Sequence, residues 1–90
     1  MTKMLYADAF RSDLEKIYSS RLRAEIIRLL GVLEATPDVG SHLVPASILE
    51  KYGPNIRKAV VGPYDLIYRF DCEKDEVRVY RLLAQRAIKW

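Results

Sequence analysis

Residues 56–70, IRKAVVGPYDLIYRF, decide how the rest of the chain is read. Apolar and polar residues alternate along both arms of this stretch, and Gly62-Pro63 sits between them as a tight turn. A period of two with one apolar face is the mark of half-buried strands, so the stretch is a β-hairpin. From Tyr64 onward, Tyr64, Leu66, Tyr68 and Phe70 share one face; Asp65, Ile67, Arg69 and Asp71 share the other. Pairing Val61 with Tyr64 sets Ala59 opposite Leu66 and Arg57 opposite Tyr68. Val61, Ala59, Tyr64, Leu66, Tyr68 and Phe70 then form a core floor. Lys58, Val60, Asp65, Ile67 and Arg69 are expected to form a mixed polar surface, the natural place to look for function.

Upstream, residues 2–6 read as a short strand, with Asp8 placed to cap the helix that follows. Phe10, Leu14, Ile17 and Tyr18 recur at helical spacing, with Arg11, Asp13, Glu15 and Lys16 opposite, which predicts an amphipathic helix of about three turns. Ser19 or Ser20 can cap a second helix, whose stripe is Leu22, Ile26, Leu29, Leu30 and Leu33 and which ends at Thr36-Pro37. Gly31 inside it costs about 1 kcal/mol relative to Ala, and a close helix–helix contact would account for it. Residues 38–55 carry turn chemistry at both ends, with one helical turn expected near 47–52.

Downstream of the hairpin, an acidic turn at 71–75 leads to a third strand at 76–83. Val77 and Val79 are expected on one face and Arg78, Tyr80 and Leu82 on the other, with a bulge or strand exit at 81–83. Helices segregated from consecutive strands define an α+β domain. The expected architecture is an N-terminal helical hairpin packed on a small antiparallel sheet of three or four strands, forming a single domain over residues 1–90.

Ninety residues, half of them apolar, suffice for one compact domain that buries roughly 60% of its unfolded surface. The opening MTKMLYADAF lacks a signal-peptide core, and no run of 18 apolar residues could span a membrane. The one cysteine, Cys72, excludes an intramolecular disulfide framework and fits a reducing cytoplasm. Residues 1–56 carry seven basic and seven acidic side chains, so the net +3 sits entirely in residues 57–90. A basic surface there favours an anionic partner such as nucleic acid; a charged, solvated sheet edge that resists aggregation is the competing reading.

The residues exclude several chemistries. His42 stands alone in a loop, Cys72 has no activating neighbour, and neither a glycine-rich phosphate loop nor a serine nucleophile motif is present. No metal and no cofactor is expected. What remains is Arg and Tyr on a sheet: Arg57, Lys58, Tyr64, Tyr68, Arg69, Arg78, Tyr80, Arg81 and Arg86. Such a set can bind phosphates, stabilise charge developing on them, or stack on unpaired bases. By parity Tyr64 and Tyr68 belong to the core. Arg57 is expected at its edge, paired with a carboxylate.

The helix segment FRSDLEKI, the helix end LEATPDVG, the run IRKAVVGPYDLIYRFD, the strand EVRVYRLL and the terminal AQR occur in an order that resembles the RelE/ParE toxin superfamily. The most specific part is R-x-x-x-V-G-P-Y-x-L-I-Y-R, from Arg57 to Arg69. The resemblance implies a toxin of a bacterial type II toxin–antitoxin pair, associated with plasmid stabilization and growth inhibition and neutralised by a cognate antitoxin. RelE-like members cut mRNA on the ribosome; ParE-like members poison DNA gyrase. In the family's pattern Arg86 matches the basic residue after the last strand, and Arg57 or Lys58 matches the basic position of the first hairpin strand. Asp65 departs from it, standing where RelE-like nucleases place arginine, and no Tyr or His follows Arg86. Both departures favour a ParE-like protein that acts by binding, with Arg69, Arg78, Arg81 and Arg86 as target contacts. The alternatives are a metal-independent endoribonuclease using Arg57, Lys58, Arg69, Arg81 and Arg86, and a non-toxic remnant that retains antitoxin binding.

Overall fold

The computed structural model describes residues 2–87. The elements run β1 (Lys3–Tyr6), α1 (Asp8–Glu15), α2 (Ser20–Ala35), α3 (Ala46–Tyr52), β2 (Ile56–Val61), β3 (Tyr64–Asp71) and β4 (Glu76–Ala84), followed by a 3-10 turn (Gln85–Ala87). The strands form one sheet in the order β1-β4-β3-β2. β2, β3 and β4 are antiparallel neighbours, as the hairpin pattern requires, whereas β1 joins parallel to β4. The expected α+β architecture is therefore present, with a mixed sheet of four strands. Residues 88–90, including the Lys89 and Trp90 of the tail, lie outside the described residues.

The hairpin pairs in the register read from its alternation: Val61 with Tyr64, Ala59 with Leu66, Arg57 with Tyr68. The floor it presents, with Val77, Val79 and Leu82 of β4, packs against Phe10, Ile17, Ile26 and Leu33. The other face is not the polar surface that alternation predicts. Val44 and Ile48, with the half-buried Leu49 and Tyr52, lie over Ile56 and Ile67 and form a second, smaller core. Ile67 is 1% exposed and Asp65 2%. The short α3, whose residues read as little more than one turn, is thus a lid on the sheet's second face. β3 is consequently buried on both sides over four consecutive residues, 65–68.

β4 carries one extra residue relative to β3: Ile67 pairs with Arg81 but Tyr68 pairs with Val79, leaving Tyr80 in a bulge. The bulge reverses the alternation of everything after it. Leu82, expected beside Arg78 and Tyr80, therefore shares the main core with Val77 and Val79.

α1 is shorter than its apolar spacing predicts, two turns rather than three, and Asp8 is its first residue, not its cap; Ala7 is the N-cap and makes no side-chain bond. Ile17 is buried beyond the helix end, while Tyr18, counted with the apolar stripe, is 92% exposed. The Arg23 guanidinium donates to the carbonyls of Leu14 (2.8 Å) and Ile17 (3.1 Å), so a side chain of α2 ties down the main chain where α1 ends. Ser19 caps α2 as expected, its Oγ accepting from the Leu22 N–H at 3.2 Å.

Two glycines differ in kind. Gly31 is exposed and a Cβ added there would meet nothing, so the helix–helix contact expected at this position is absent. Gly40 is pressed onto the sheet: its N–H donates to the Tyr68 hydroxyl at 2.8 Å, and a Cβ would collide with that hydroxyl and with the Lys58 carbonyl. Gly31→Ala should stabilise the protein by about 1 kcal/mol and raise Tm by roughly 4–8 °C. Gly40→Ala should destabilise it by about 1–3 kcal/mol. Thermal unfolding followed by circular dichroism reads both; equal shifts of the same sign would contradict this assignment.

Candidate functional site

Of the basic residues singled out from the sequence, Arg57, Lys58 and Arg81 are held by the fold itself. Arg57 lies at the edge of the core floor, where a carboxylate partner was expected. Its Nη1 instead donates to two main-chain carbonyls, Asp38 and Gly40, each at 2.9 Å. Beside it the buried Tyr68 hydroxyl donates to the Pro37 carbonyl at 2.9 Å and accepts from Gly40 N–H. Burial pushes the Tyr68 phenol above its ordinary range, against the opposing pull of the Gly40 bond and the Arg57 charge. Together the two side chains staple residues 37–40 to the sheet; Ser41 then pairs with Lys58 along the outer edge of β2.

Lys58 reaches the buried Asp65 across the β2–β3 ladder, with Nζ 3.8 Å from Oδ2. The other carboxylate oxygen accepts from Gln85 Nε2 at 3.1 Å. The acid that departs from the RelE-like pattern is therefore an interior counter-charge to the neighbouring lysine.

Arg81 forms a two-bond ion pair with Asp13: Nε to Oδ2 at 2.7 Å and Nη2 to Oδ1 at 3.0 Å. Oδ2 also accepts the Leu82 N–H at 3.0 Å, so α1 satisfies the edge of β4 beyond the point where β1 ends. Burial works to raise the Asp13 carboxyl, but the Arg81 and Leu82 hydrogen bonds outweigh it and hold the group below the ordinary carboxylate range. The same Asp13 bonds raise the Arg81 guanidinium further above its already high value. Sequence reading placed Asp13 on the outer face of α1. The signal against that was its spacing: Phe10, Asp13, Leu14 and Ile17 follow i, i+3, i+4, i+7, and an acid on an inward stripe requires a cation.

Arg69, Arg78 and Arg86 remain exposed. Arg69 and Arg78 face one another across the β3–β4 ladder, and Asp71 faces Glu76 two residues further along. Each arginine lies loosely beside the acid on its own strand, Arg69–Asp71 at 3.7 Å and Arg78–Glu76 at 3.8 Å. Exposed pairs of this kind contribute little to stability. A hollow of about 600 Å³ opens beside them, lined by Asp38, His42, Asn55, Arg57, Arg69, Phe70, Asp71, Cys72 and Glu73. Its three carboxylates against two guanidiniums make it a poor cradle for phosphate. His42 Nδ1 lies 3.1 Å from the Ile56 carbonyl, a structural contact. Tyr80, a candidate for base stacking, packs on Tyr52 with ring centroids 5.1 Å apart.

Arg86 stands elsewhere. It belongs to the 3-10 turn, and Gln85 N–H donates to the Pro63 carbonyl at 2.9 Å, at the hairpin-turn end of the sheet. Arg69 lies five residues along β3 from Tyr64, about 17 Å at strand spacing. The structure therefore brings Arg69 and Arg78 together and leaves Arg81 and Arg86 apart from them. Among the described residues, no helix is long and apolar enough to cross a membrane.

The family model described as the ParE toxin of type II toxin–antitoxin systems, parDE, matches residues 4–88. The chain belongs to that toxin family, within the RelE/ParE superfamily. Solved structures share the fold. A chain of the RelBE2 toxin–antitoxin complex from Mycobacterium tuberculosis matches with TM-score 0.73 at 26% identity, covering 93% of this chain and 98% of that one. A chain of the intact Escherichia coli RelBE complex gives 0.73 at 16% identity, with coverages of 93% and 96%. A chain of the chromosomal ParDE system of Pseudomonas aeruginosa gives 0.68 at 15% identity, again covering 93% and 96%. A search of the curated proteins finds no significant match.

The Asp13 pair makes acid stability testable. Its folded pKa is depressed, so its contribution is complete above the unfolded value of about 3.9 and disappears as pH falls through the folded value. Asp13→Asn should cost about 2 kcal/mol at pH 7. The gap in Tm between parent and variant should narrow as pH falls below about 4. A gap that widens on acidification would contradict the role given to the carboxylate.

Proposed function

We propose that this chain, over residues 1–90, is a ParE-like toxin that acts in the cytoplasm by binding DNA gyrase and is neutralised by a cognate antitoxin. The observation that carries this reading is the Lys58–Asp65 pair. A metal-independent ribonuclease has to aim several cations at one scissile phosphate. Here Lys58 lies beside a buried carboxylate, Arg57 binds loop carbonyls and Arg81 binds Asp13. Arg86 and the Arg69/Arg78 pair occupy opposite ends of β3. Separated cations suit an extended contact with a macromolecule better than a single reaction centre. Arg86, exposed beside the hairpin turn, is the foremost target contact, with Arg69 and Arg78 at the far end.

The antitoxin follows from membership of a toxin–antitoxin family, and solved relatives such as RelBE2 are described as toxin–antitoxin complexes. The second reading, a RelE-like endonuclease acting on ribosome-bound mRNA, draws on the fold shared with RelE. A non-toxic antitoxin-binding remnant is the third.

Induced expression separates the three. DNA breaks with a damage response are expected; rapid translation arrest with cut mRNA would sink the gyrase reading, and normal growth would leave the remnant. Arg86→Ala should relieve growth inhibition at least tenfold more than Arg11→Ala, which alters an exposed residue of α1. Equal effects in a plating assay would contradict a role for Arg86.

A further inference from the structure

Asp65 is the buried charged side chain of the described residues, and one of its two resolved partners comes from beyond the sheet. Gln85 binds the β2–β3 hairpin twice. Its main-chain N–H donates to the Pro63 carbonyl at 2.9 Å, and its side-chain amide donates to Asp65 Oδ1 at 3.1 Å. Arg86 and Ala87 follow at once and are exposed. Among the described residues the 3-10 turn is therefore fastened to the hairpin by Gln85, whose side chain reaches from the surface to an interior carboxylate.

We propose that Gln85 and Asp65 form a latch that positions Arg86, so that Gln85 is a positioning residue for target binding. The inference rests on the reading of Arg86 as a target contact. A buried carboxylate deprived of a donor is disfavoured, so the latch biases the turn toward its docked placement. Undocking exposes the N–H of Gln85 and leaves Asp65 short of a hydrogen bond. Docking holds Arg86 beside the hairpin turn at little further loss of conformational freedom when a target binds. The latch also gives Asp65 a second task besides neutralising Lys58: it anchors the chain just past β4.

A reciprocal exchange tests the latch. Gln85→Glu keeps the shape but sets a second carboxylate against Asp65; adding Asp65→Asn restores a donor–acceptor pair with its direction reversed. Amide hydrogen exchange by NMR on the full chain should show the residue-85 amide exchanging about tenfold faster in Q85E. Leu66 in β3 should be unchanged, and the double variant should return to parental exchange. Growth inhibition should fall in Q85E as in Arg86→Ala and recover in the double variant; Arg86→Ala should lose inhibition with exchange at residue 85 unaltered. Parental exchange in Q85E overturns the latch. Faster exchange with full inhibition overturns its link to Arg86. If the parent itself inhibits no growth, the target-contact reading fails, and exchange still decides the latch.

Discussion

β3 is covered on both faces across residues 65–68, and the rest of the structure answers to that constraint. A central strand between two apolar layers cannot leave a polar group unanswered. Two polar side chains nevertheless lie in it. The Tyr68 hydroxyl is answered by residues 37–40, which it draws down onto the sheet with help from Arg57. Asp65 is answered by Lys58 from β2 and by Gln85 from beyond β4. The path of the long connection after α2 and the exit of the chain after β4 both follow from these demands. Gly40 belongs to the same logic, because only a residue without a side chain can approach the Tyr68 ring so closely.

The same demands govern the chemistry left to the surface. Cations that would be attractive for phosphate binding are drawn into structural service: Arg57 to carbonyls, Lys58 to Asp65, Arg81 to Asp13. Arg81 is the clearest case, because Asp13 also accepts a main-chain N–H from the edge of β4. Releasing the guanidinium would unsettle the α1–sheet junction. Of the candidate arginines that remain accessible, the facing pair Arg69 and Arg78 lies at one end of β3 and Arg86 at the other. The proposal of a toxin that acts by binding draws on this arrangement of cations in this chain, not on the fold, which RelE shares.

Much of this was legible in the residues. The hairpin register, the strand–helix order, the Ser19 cap and the stop before Pro37 follow from local periodicity and turn chemistry. They hold because local preference and tertiary packing agree. What local pattern hides is the second layer. Alternation in β3 marks Asp65 and Ile67 as outward, and nothing within the hairpin reveals that α3 will return to cover them. The bulge at Tyr80 is hidden for a related reason: one added residue inverts the parity of Leu82 and can be recognised only against the partner strand. Arg69 and Arg78 could be placed from their own strand, whereas the partners of Arg57, Lys58 and Arg81 lie 17 to 68 residues away or across a ladder. Asp13 was the one warning available, an acid at an inward helical position.

The proposed toxin binds its target rather than cutting RNA. The most direct test of that proposal uses the purified protein in two reconstituted reactions: DNA supercoiling by gyrase, and mRNA on programmed ribosomes with the transcript ends mapped. Inhibited supercoiling with accumulated cleaved DNA, and intact transcripts, are expected of a toxin that binds gyrase. Transcripts cut at the ribosome, with supercoiling unaffected, would contradict the proposal.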